Sequence, residues 1–232
     1  MFVTMNVLQR KYPPSGRVFS GSDVALDDSA FIPDQPLRRR EDVGCRLITV
    51  ASLDQPYKGI AVLLDAVGEL HRSGRVVKLL VVGGGALMGE LQAQAQSLGI
   101  SADVEFLGQL DRKGVQRALD RSDLFVLPSL TEGLPRALLE AMARGLAAVA
   151  TNVGGIPELL PAECLVPPRN AVALARRLRE VLATPDALMA MAQRNQEVAR
   201  TYHDRVQTPI RREFLLAVRD VSSAGYREAA CA

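Results

Sequence analysis

The chain has 232 residues, of which 48% are hydrophobic and 23% are charged, a composition typical of a folded globular protein. Its formal net charge of +2 is close to neutral, which excludes the strongly basic surface of a general nucleic-acid-binding protein. Three short arginine clusters, at residues 38–40, 176–177 and 211–212, are predicted to be solvated, with an acidic partner or acidic lipid as the minor alternative. We therefore expect no nucleic-acid partner.

The few cysteines and histidines argue against disulfide and metal sites. Cys45, Cys164 and Cys231 are odd in number and form no C-x-x-C pair, and His71 and His203 lack metal-ligand spacing. We therefore predict no metal and no cofactor, and a reducing, cytoplasmic location. No apolar run approaches the ~20 residues of a membrane span, so we expect membrane contact to be peripheral at most.

Residues 1–43 differ from the rest of the chain because they are rich in turn-forming and charged residues. The segments QRKYPPSG and RRREDVG flank SDVAL, which is a possible short strand. We interpret this region as a tether that enters the following domain and not as a domain of its own.

From residue 44 to about residue 200, short apolar runs alternate with longer amphipathic stretches. Strands are predicted in RLITVAS, VVKLLVVG, VEFLG, DLFVLPS and AAVAT, and near ECLVP. Helices are predicted in the intervening segments and over about 170–184 and 186–200. This alternation predicts an α/β fold, a doubly wound parallel sheet with helices on both faces. A last helix is predicted over about 204–221, followed by a frayed tail.

Sheets of this kind bind ligands beyond the carboxyl ends of their strands. The stretch SLTEGLPRALLEAMARG follows the fourth predicted strand and contains two glutamates, Glu132 and Glu140. Pro135 is tolerated in the first turn of a helix, and Gly133 frees the backbone before it, so amides of that turn are expected to point into the crevice. Such a helix start favours a phosphate.

A carboxylate and a phosphate are both negatively charged, so Glu132 would have to bind another group, and the hydroxyls of a sugar are suitable donors. Glu140 lies about 7.5 Å further along the helix axis, which suits a second hydroxyl-bearing group such as a ribose. The simpler alternative is that Glu132 caps the helix and Glu140 is a solvated surface residue.

Two other turns lie at the same predicted edge. Lys58 follows the first strand, where it could neutralise a phosphate, although it could also be an ordinary exposed residue at a helix start. Gly83, Gly84 and Gly85 follow the second strand but match neither the G-x-G-x-x-G pattern nor a P-loop. Close approach to a ligand and a plain tight turn both remain open for them.

The ordered series KGIAVLLDAV, VVKLLVVGGG, VEFLGQL, SDLFVLPSLTEGLPRALLEAMARGLAAVATNVGGIPEL and LVPPRN resembles the C-terminal, nucleotide-sugar-binding half of the GT-B glycosyltransferases. Within them it is similar to the large retaining group, glycosyltransferase family 4, from about Val43 onward. The resemblance implies a Rossmann-like domain at 44–200. It also implies that 1–43 contains a remnant of the N-terminal half and the interdomain linker, and that 201–232 contains a crossover helix and tail.

The resemblance further implies transfer of a sugar from a nucleoside-diphosphate sugar with retained anomeric configuration. No metal is expected, because lysine, arginine and a helix dipole would stabilise the leaving diphosphate. Glu132, on the sugar hydroxyls, and Lys58, on the diphosphate, are the predicted catalytic residues, and Glu140 is predicted to hold the ribose. The remaining predicted donor-binding residues are Gly133, Leu134 and Arg136 for the diphosphate, Phe106, Leu107 and Gly108 for the base, the bordering loop Gly83, Gly84 and Gly85, and Ser129.

Three departures from the family pattern qualify this prediction. Ser52 stands where an arginine is frequent, and Ala147 stands where proline is usual. The half that normally carries the acceptor pocket is not found, which suggests a truncated product, a split-gene subunit or an excised domain. We therefore expect this chain to bind a nucleotide sugar but to be inactive alone, since transfer needs both substrates in one closed cleft.

The expected partners are the nucleotide sugar and either a separate acceptor-binding half or a second copy, joined through exposed apolar surface. The alternative function is a non-catalytic nucleotide-sugar-binding or interaction module that needs a partner chain. A nucleotide-binding epimerase of the same architecture is disfavoured by the two glutamates around GLP. The base, the sugar and the acceptor are left open.

Overall fold

A six-stranded parallel sheet is the centre of residues 21–32 and 45–229, the part of the chain described by the structure, a computed structural model. Its strands are β1 (Arg46–Val50), β2 (Lys78–Val82), β3 (Val104–Gly108), β4 (Leu124–Leu127), β5 (Ala147–Thr151) and β6 (Leu165–Val166). They lie in the order β3-β2-β1-β4-β5-β6, and neighbouring strands are parallel. The predicted doubly wound parallel sheet is confirmed.

Helices connect the strands and cover both faces of the sheet. They are α1 (Ile60–Arg72), α2 (Met88–Ser97), α3 (Arg112–Asp120), α4 (Arg136–Ala143), α5 (Ile156–Leu159), α6 (Ala171–Leu182), α7 (Pro185–Arg200) and α8 (Asp204–Ala229). Short 3₁₀ turns lie at Asp28–Ala30, Pro56–Lys58, Ser101–Asp103 and Ala162–Cys164.

Two hydrophobic layers hold the helices on the sheet. Successive residues of β1 point to opposite layers, since Leu47 packs with α1, α2 and α6, whereas Ile48 packs with α3, α4 and α7. Phe125, at the centre of β4, is fully buried in the second layer. Burial on both faces explains why the strands are continuous apolar runs in the sequence.

The strand order places one crevice at the carboxyl edge of the sheet. β1 and β4 are neighbours, with Leu47 opposite Leu124 and Ile48 opposite Phe125. The chain leaves β1 toward β2 on one side and leaves β4 toward β5 on the other side. The connections that follow β1 and β4 therefore run to opposite sides of this point, and doubly wound folds bind ligands in the crevice at such a switch in strand order.

Residues 21–32 are docked on the domain. Leu26 exchanges backbone hydrogen bonds with the start of α8, donating to Tyr202 at 3.0 Å and accepting from Asp204 at 2.8 Å. The ring of Phe31 stacks on that of His203 with centroids 5.4 Å apart. The possible strand in SDVAL forms only this isolated bridge, and the rest of the predicted tether, with the arginines at 38–40, lies outside the described residues.

The last helix is longer than predicted. α8 continues to Ala229, although its end was expected near Val221 with a frayed tail beyond. The added segment SSAGYREA contains the weak helix former Gly225, but the helix passes through it into YREA, where Ala, Arg and Glu favour helix. Cys231 lies outside the described residues.

Candidate functional site

The crevice is bordered by the uncapped N-terminus of α4. Pro135 occupies the N-cap position with extended backbone angles, and no side-chain hydrogen bond caps the helix within the part of the chain that the structure describes. The first-turn amides of Arg136 and Ala137 consequently keep free N–H groups, beside the positive end of the helix dipole. The alternative that Glu132 caps this helix is not supported, because its carboxylate is bonded elsewhere.

Glu132 is a buried carboxylate with two donors on one oxygen. Its side chain is only 9% exposed, and Oε1 accepts from the ammonium of Lys58 at 2.8 Å and from the hydroxyl of Ser129 at 2.7 Å. Lys58, on the loop after β1, is 22% exposed, so its remaining N–H groups can face the crevice. The structure thus brings together the two predicted catalytic residues, which are 74 positions apart in the sequence.

Close backbone contacts hold the loops after β1 and β4 against each other. Leu130 donates its N–H to the carbonyl of Tyr57 at 2.7 Å. Gly59 has φ +70°, and a Cβ there would lie 2.1 Å from the carbonyl oxygen of Pro128. Only glycine permits both this positive φ and the close approach to Pro128. Gly59 therefore helps to hold the adjacent Lys58 opposite Glu132.

The loop after β5 supports Glu132 from the other side. A Cβ on Gly154, whose φ is +54°, would lie 1.9 Å from the carbonyl oxygen of Glu132. Gly155 donates its N–H to the carbonyl of Gly133 at 2.8 Å. This loop contains the turn GGIPEL and shapes the site by backbone contact.

Gly133 has a different status from these glycines. Its φ is not positive, and a Cβ there would meet no atom within 4 Å. Neither the fold nor the packing of the described residues therefore requires glycine at position 133. An open space beside the helix start, kept free of a side chain, is what the backbone approach of a ligand needs.

Glu140 is half-buried on α4, and its environment differs from that of Glu132. Burial raises the pKa of its carboxyl, while the charges of Arg136 and Arg112 oppose that rise. Within residues 21–32 and 45–229, no hydrogen bond or ion pair to its carboxylate is present. Arg112 is held by Asp27 at 2.6 Å, and this hydrogen bond lowers the pKa of Asp27 to about 2.

The glycine loop after β2 is explained largely by packing against the loop after β1. Gly83 and Gly85 have φ of +135° and +151°, and a Cβ on either would lie within 2.3 Å of backbone in residues 51–54. Asp54 ties the loops together, since its carboxylate accepts from the N–H of Ala86 at 3.0 Å and the hydroxyl of Ser52 at 2.9 Å. Donor contacts of Gly83, Gly84 and Gly85 stay a prediction.

The predicted base-contacting residues lie at the end of β3. Phe106 and Leu107 are partly buried, and the carbonyl of Gly108 accepts from the N–H of Gly83 at 2.8 Å. They lie at the same carboxyl edge as Lys58 and Glu132, and their contact with a base stays a prediction.

Sequence reasoning missed the residues that hold the site together. Ser129 was assigned to the donor but is fully buried against Glu132, and Asp54, Gly154 and the pair Asp27–Arg112 were not assigned. Only Gly154 carried a signal, as part of a glycine pair after a strand. The other contacts join segments that are distant in sequence or depend on side-chain orientation.

No group of three or more His, Cys, Asp or Glu that could hold a metal ion occurs in residues 21–32 or 45–229. Within the same ranges, no helix has both the length and the apolar character needed to cross a bilayer.

Comparison with known proteins identifies a family and relatives for this chain. Residues 44–184 match the family described as glycosyl transferases group 1. WcaL of Escherichia coli K12, a glycosyltransferase assigned to colanic acid biosynthesis, is 35% identical over 178 residues, which are 72% of this chain and 43% of WcaL. The chain spans less than half the length of the curated relatives it matches.

Solved structures show the same fold. Sucrose-phosphate synthase from Thermosynechococcus elongatus superposes with a TM-score of 0.77 at 24% identity, over 96% of this chain and 58% of that one. Anabaena HepE, solved in complex with UDP and glucose, gives a TM-score of 0.66 at 24% identity, over 76% of this chain and 48% of HepE.

Proposed function

This chain belongs to the group 1 glycosyltransferases, and we propose from this that it carries the donor-binding half of a retaining enzyme that uses a nucleoside-diphosphate sugar. The observation that carries the proposal is the buried pair of Lys58 and Glu132 at the point where the sheet reverses its strand order. A buried carboxylate held beside a cation and an uncapped helix start suits a ligand with both hydroxyls and negative charge.

The diphosphate binds between Lys58 and the start of α4. The ammonium of Lys58 has three N–H groups and makes one hydrogen bond to Glu132, so it can bind a phosphate oxygen and Glu132 together. The free amides around Arg136 and the open backbone at Gly133 and Leu134 supply further donors. This arrangement stabilises the charge that develops on the leaving diphosphate, and no metal is required in the proposal.

The sugar and the ribose bind to the two glutamates. Glu132 accepts hydroxyls of the transferred sugar, while Glu140, with no described hydrogen-bond partner, accepts the two ribose hydroxyls. The backbone at Phe106, Leu107 and Gly108 contacts the base, and Gly83, Gly84 and Gly85 border the pocket. The resemblance to the retaining family 4 supports these assignments and the retained anomeric configuration.

Sugar transfer also needs an acceptor held against the donor. WcaL is more than twice as long as the region it shares with this chain, so we propose that an acceptor-binding half completes the cleft, in the same polypeptide or in a second chain. The described domain binds the donor, and transfer by it alone is expected to be poor.

Calorimetric titration with UDP, GDP and ADP, in buffer with EDTA, tests the proposal. We expect one nucleotide to bind, and Glu140→Ala to weaken that binding about tenfold or more, because it removes hydrogen bonds to a charged group. Glu197→Ala, at an exposed glutamate of α7, is the matched control and should leave the affinity unchanged. If no nucleotide binds, or if binding needs added Mg²⁺, the proposed donor site is wrong.

A further inference from the structure

The hydroxyl of Ser129 is placed to act on Glu132 and not on a ligand. Ser129 is fully buried, with no exposed surface, and its hydroxyl donates to Oε1 of Glu132 at 2.7 Å. A residue without exposed surface cannot contact a ligand directly in this arrangement. Its role, if it has one in donor binding, must pass through the carboxylate of Glu132.

The hydrogen bonds to Glu132 are unevenly divided between its two oxygens. Oε1 accepts from both Ser129 and Lys58, at 2.7 and 2.8 Å. In residues 21–32 and 45–229 there is no donor to Oε2. Two donors on Oε1, from residues in different loops, fix the orientation of the carboxylate, and Oε2 is available to a ligand.

Ser129 is itself held by the neighbouring strand. The hydroxyl of Thr151, at the end of β5, donates to the backbone carbonyl of Ser129, and Thr151 is 1% exposed. A buried chain of contacts therefore runs from β5 through Ser129 to the carboxylate of Glu132. Because each member is packed in the fold, the carboxylate is oriented before any ligand arrives.

We infer that Ser129 is a positioning residue that orients Glu132, so that Oε2 accepts a hydroxyl of the transferred sugar. This inference rests on the donor site proposed above and assigns Ser129 to sugar recognition alone. The diphosphate and the ribose are bound by Lys58, the α4 amides and Glu140. Loss of the Ser129 hydroxyl therefore reduces the contribution of the sugar and spares that of the nucleotide.

The measurement is the ratio of two dissociation constants, that of the nucleoside diphosphate divided by that of its sugar derivative. The probe pairs are UDP with UDP-glucose and GDP with GDP-mannose, titrated against the full chain by calorimetry. We expect Ser129→Ala to lower this ratio about fivefold to tenfold, the effect of loosening one hydrogen bond to a charged group, while the affinity for the bare nucleotide changes less than twofold. Thr151→Val acts on the same chain of contacts from another strand and should lower the ratio in the same direction by a smaller factor.

The possible outcomes separate the inference from the proposed function. If wild type shows a ratio above one and Ser129→Ala weakens both ligands equally, Ser129 has only a structural role and the inference is overturned. A ratio of one in wild type overturns the role of Glu132 in sugar binding, and with it that of Ser129. Binding of neither probe pair by wild type overturns the donor site itself. Thermal melts of both variants verify that they are folded. If Ser129→Ala does not fold, the ratio measured for Thr151→Val tests the inference.

Discussion

Replacing Lys58 with methionine should destabilise the protein, because it leaves the carboxylate of Glu132 buried without its cation. The side chain of Glu132 is 9% exposed, and that of Lys58 is 22% exposed. Removing one partner of a fully buried ion pair costs about 3–5 kcal/mol of unfolding free energy. Here Lys58 is partly exposed and Ser129 still donates to Glu132, so we expect a loss of about 2 kcal/mol.

Thermal unfolding followed by circular dichroism measures this loss. In a chain of this size, 1 kcal/mol corresponds to roughly 2–4 °C, so Lys58→Met should lower Tm by about 4–8 °C. Adding Glu132→Gln should recover most of the loss, because the amide carries no charge and can still accept from Ser129. The coupling between the two substitutions should persist in 0.5 M NaCl, since a mostly desolvated pair is weakly screened.

Lys78 provides the matched control. It pairs with Asp103 at 2.7 Å, a distance similar to that of the site pair, but its side chain is 48% exposed. Exposed pairs contribute about 1 kcal/mol or less, so Lys78→Met should have a small, salt-sensitive effect. If Lys58→Met and Lys78→Met shift Tm equally, the pair at the crevice is an ordinary surface ion pair and our reasoning about its burial is wrong.

Three other perturbations are expected to have distinct effects. Burial raises the pKa of Glu140 above its usual 4.5, so its contribution to stability is complete below pH 4.5 and is lost as the pH rises through the raised pKa. The Tm of Glu140→Gln should therefore rise relative to that of wild type across this pH window and stay higher above it. A constant difference in Tm from pH 4 to pH 8 would contradict this. Gly133→Ala should leave Tm within about 1 °C of wild type but weaken nucleotide binding, because its Cβ meets no atom of the described residues. Gly154→Ala should lower the free energy of unfolding by about 2 kcal/mol or more. An equal Tm for the two variants would show that their difference in packing has no consequence. Gln207→Ala removes the side-chain oxygen that accepts from the buried N–H of Ser22 at 2.9 Å, so we expect a loss of about 2 kcal/mol and faster hydrogen exchange of the Ser22 amide, while the Leu26 amide, which donates to Tyr202, stays protected. Unchanged exchange at Ser22 would contradict this.

The elements of the fold could be predicted from the sequence because each carries a local signal. Strands buried on both faces appear as continuous apolar runs, as in KLLVV of β2 and LFVL of β4. Glycines after α1 and α4 mark helix ends. The predicted end of α8 near Val221 is too early, because the Ser-Ser-Ala-Gly segment and its Gly225 do not end the helix, which continues through YREA to Ala229.

The contacts of the site could be predicted only in part, because they depend on which strands are neighbours. Lys58 and Glu132 were assigned separately, and their pairing arises from the adjacency of β1 and β4 in the sheet. Ser129 lies only three positions from Glu132, yet its role depends on the side-chain orientation that burial imposes. The sequence does not distinguish Gly133 from Gly154, but only Gly154 is required by the packing.

Glu132 and Glu140 have equivalent places in the sequence pattern, but the fold gives their carboxylates different hydrogen-bond partners. Glu132 has a cation and a hydroxyl within 2.8 Å, which fix its carboxylate without a ligand. Glu140 has two arginines that act on it only through longer-range charge, and within the described residues no hydrogen bond orients it. A carboxylate that is already oriented can distinguish ligands by the positions of their hydroxyls at little entropic cost. A carboxylate without hydrogen bonds must be ordered by the ligand when it binds. Selectivity is therefore built into the sugar side of the proposed site, while the nucleotide side gains its order on binding.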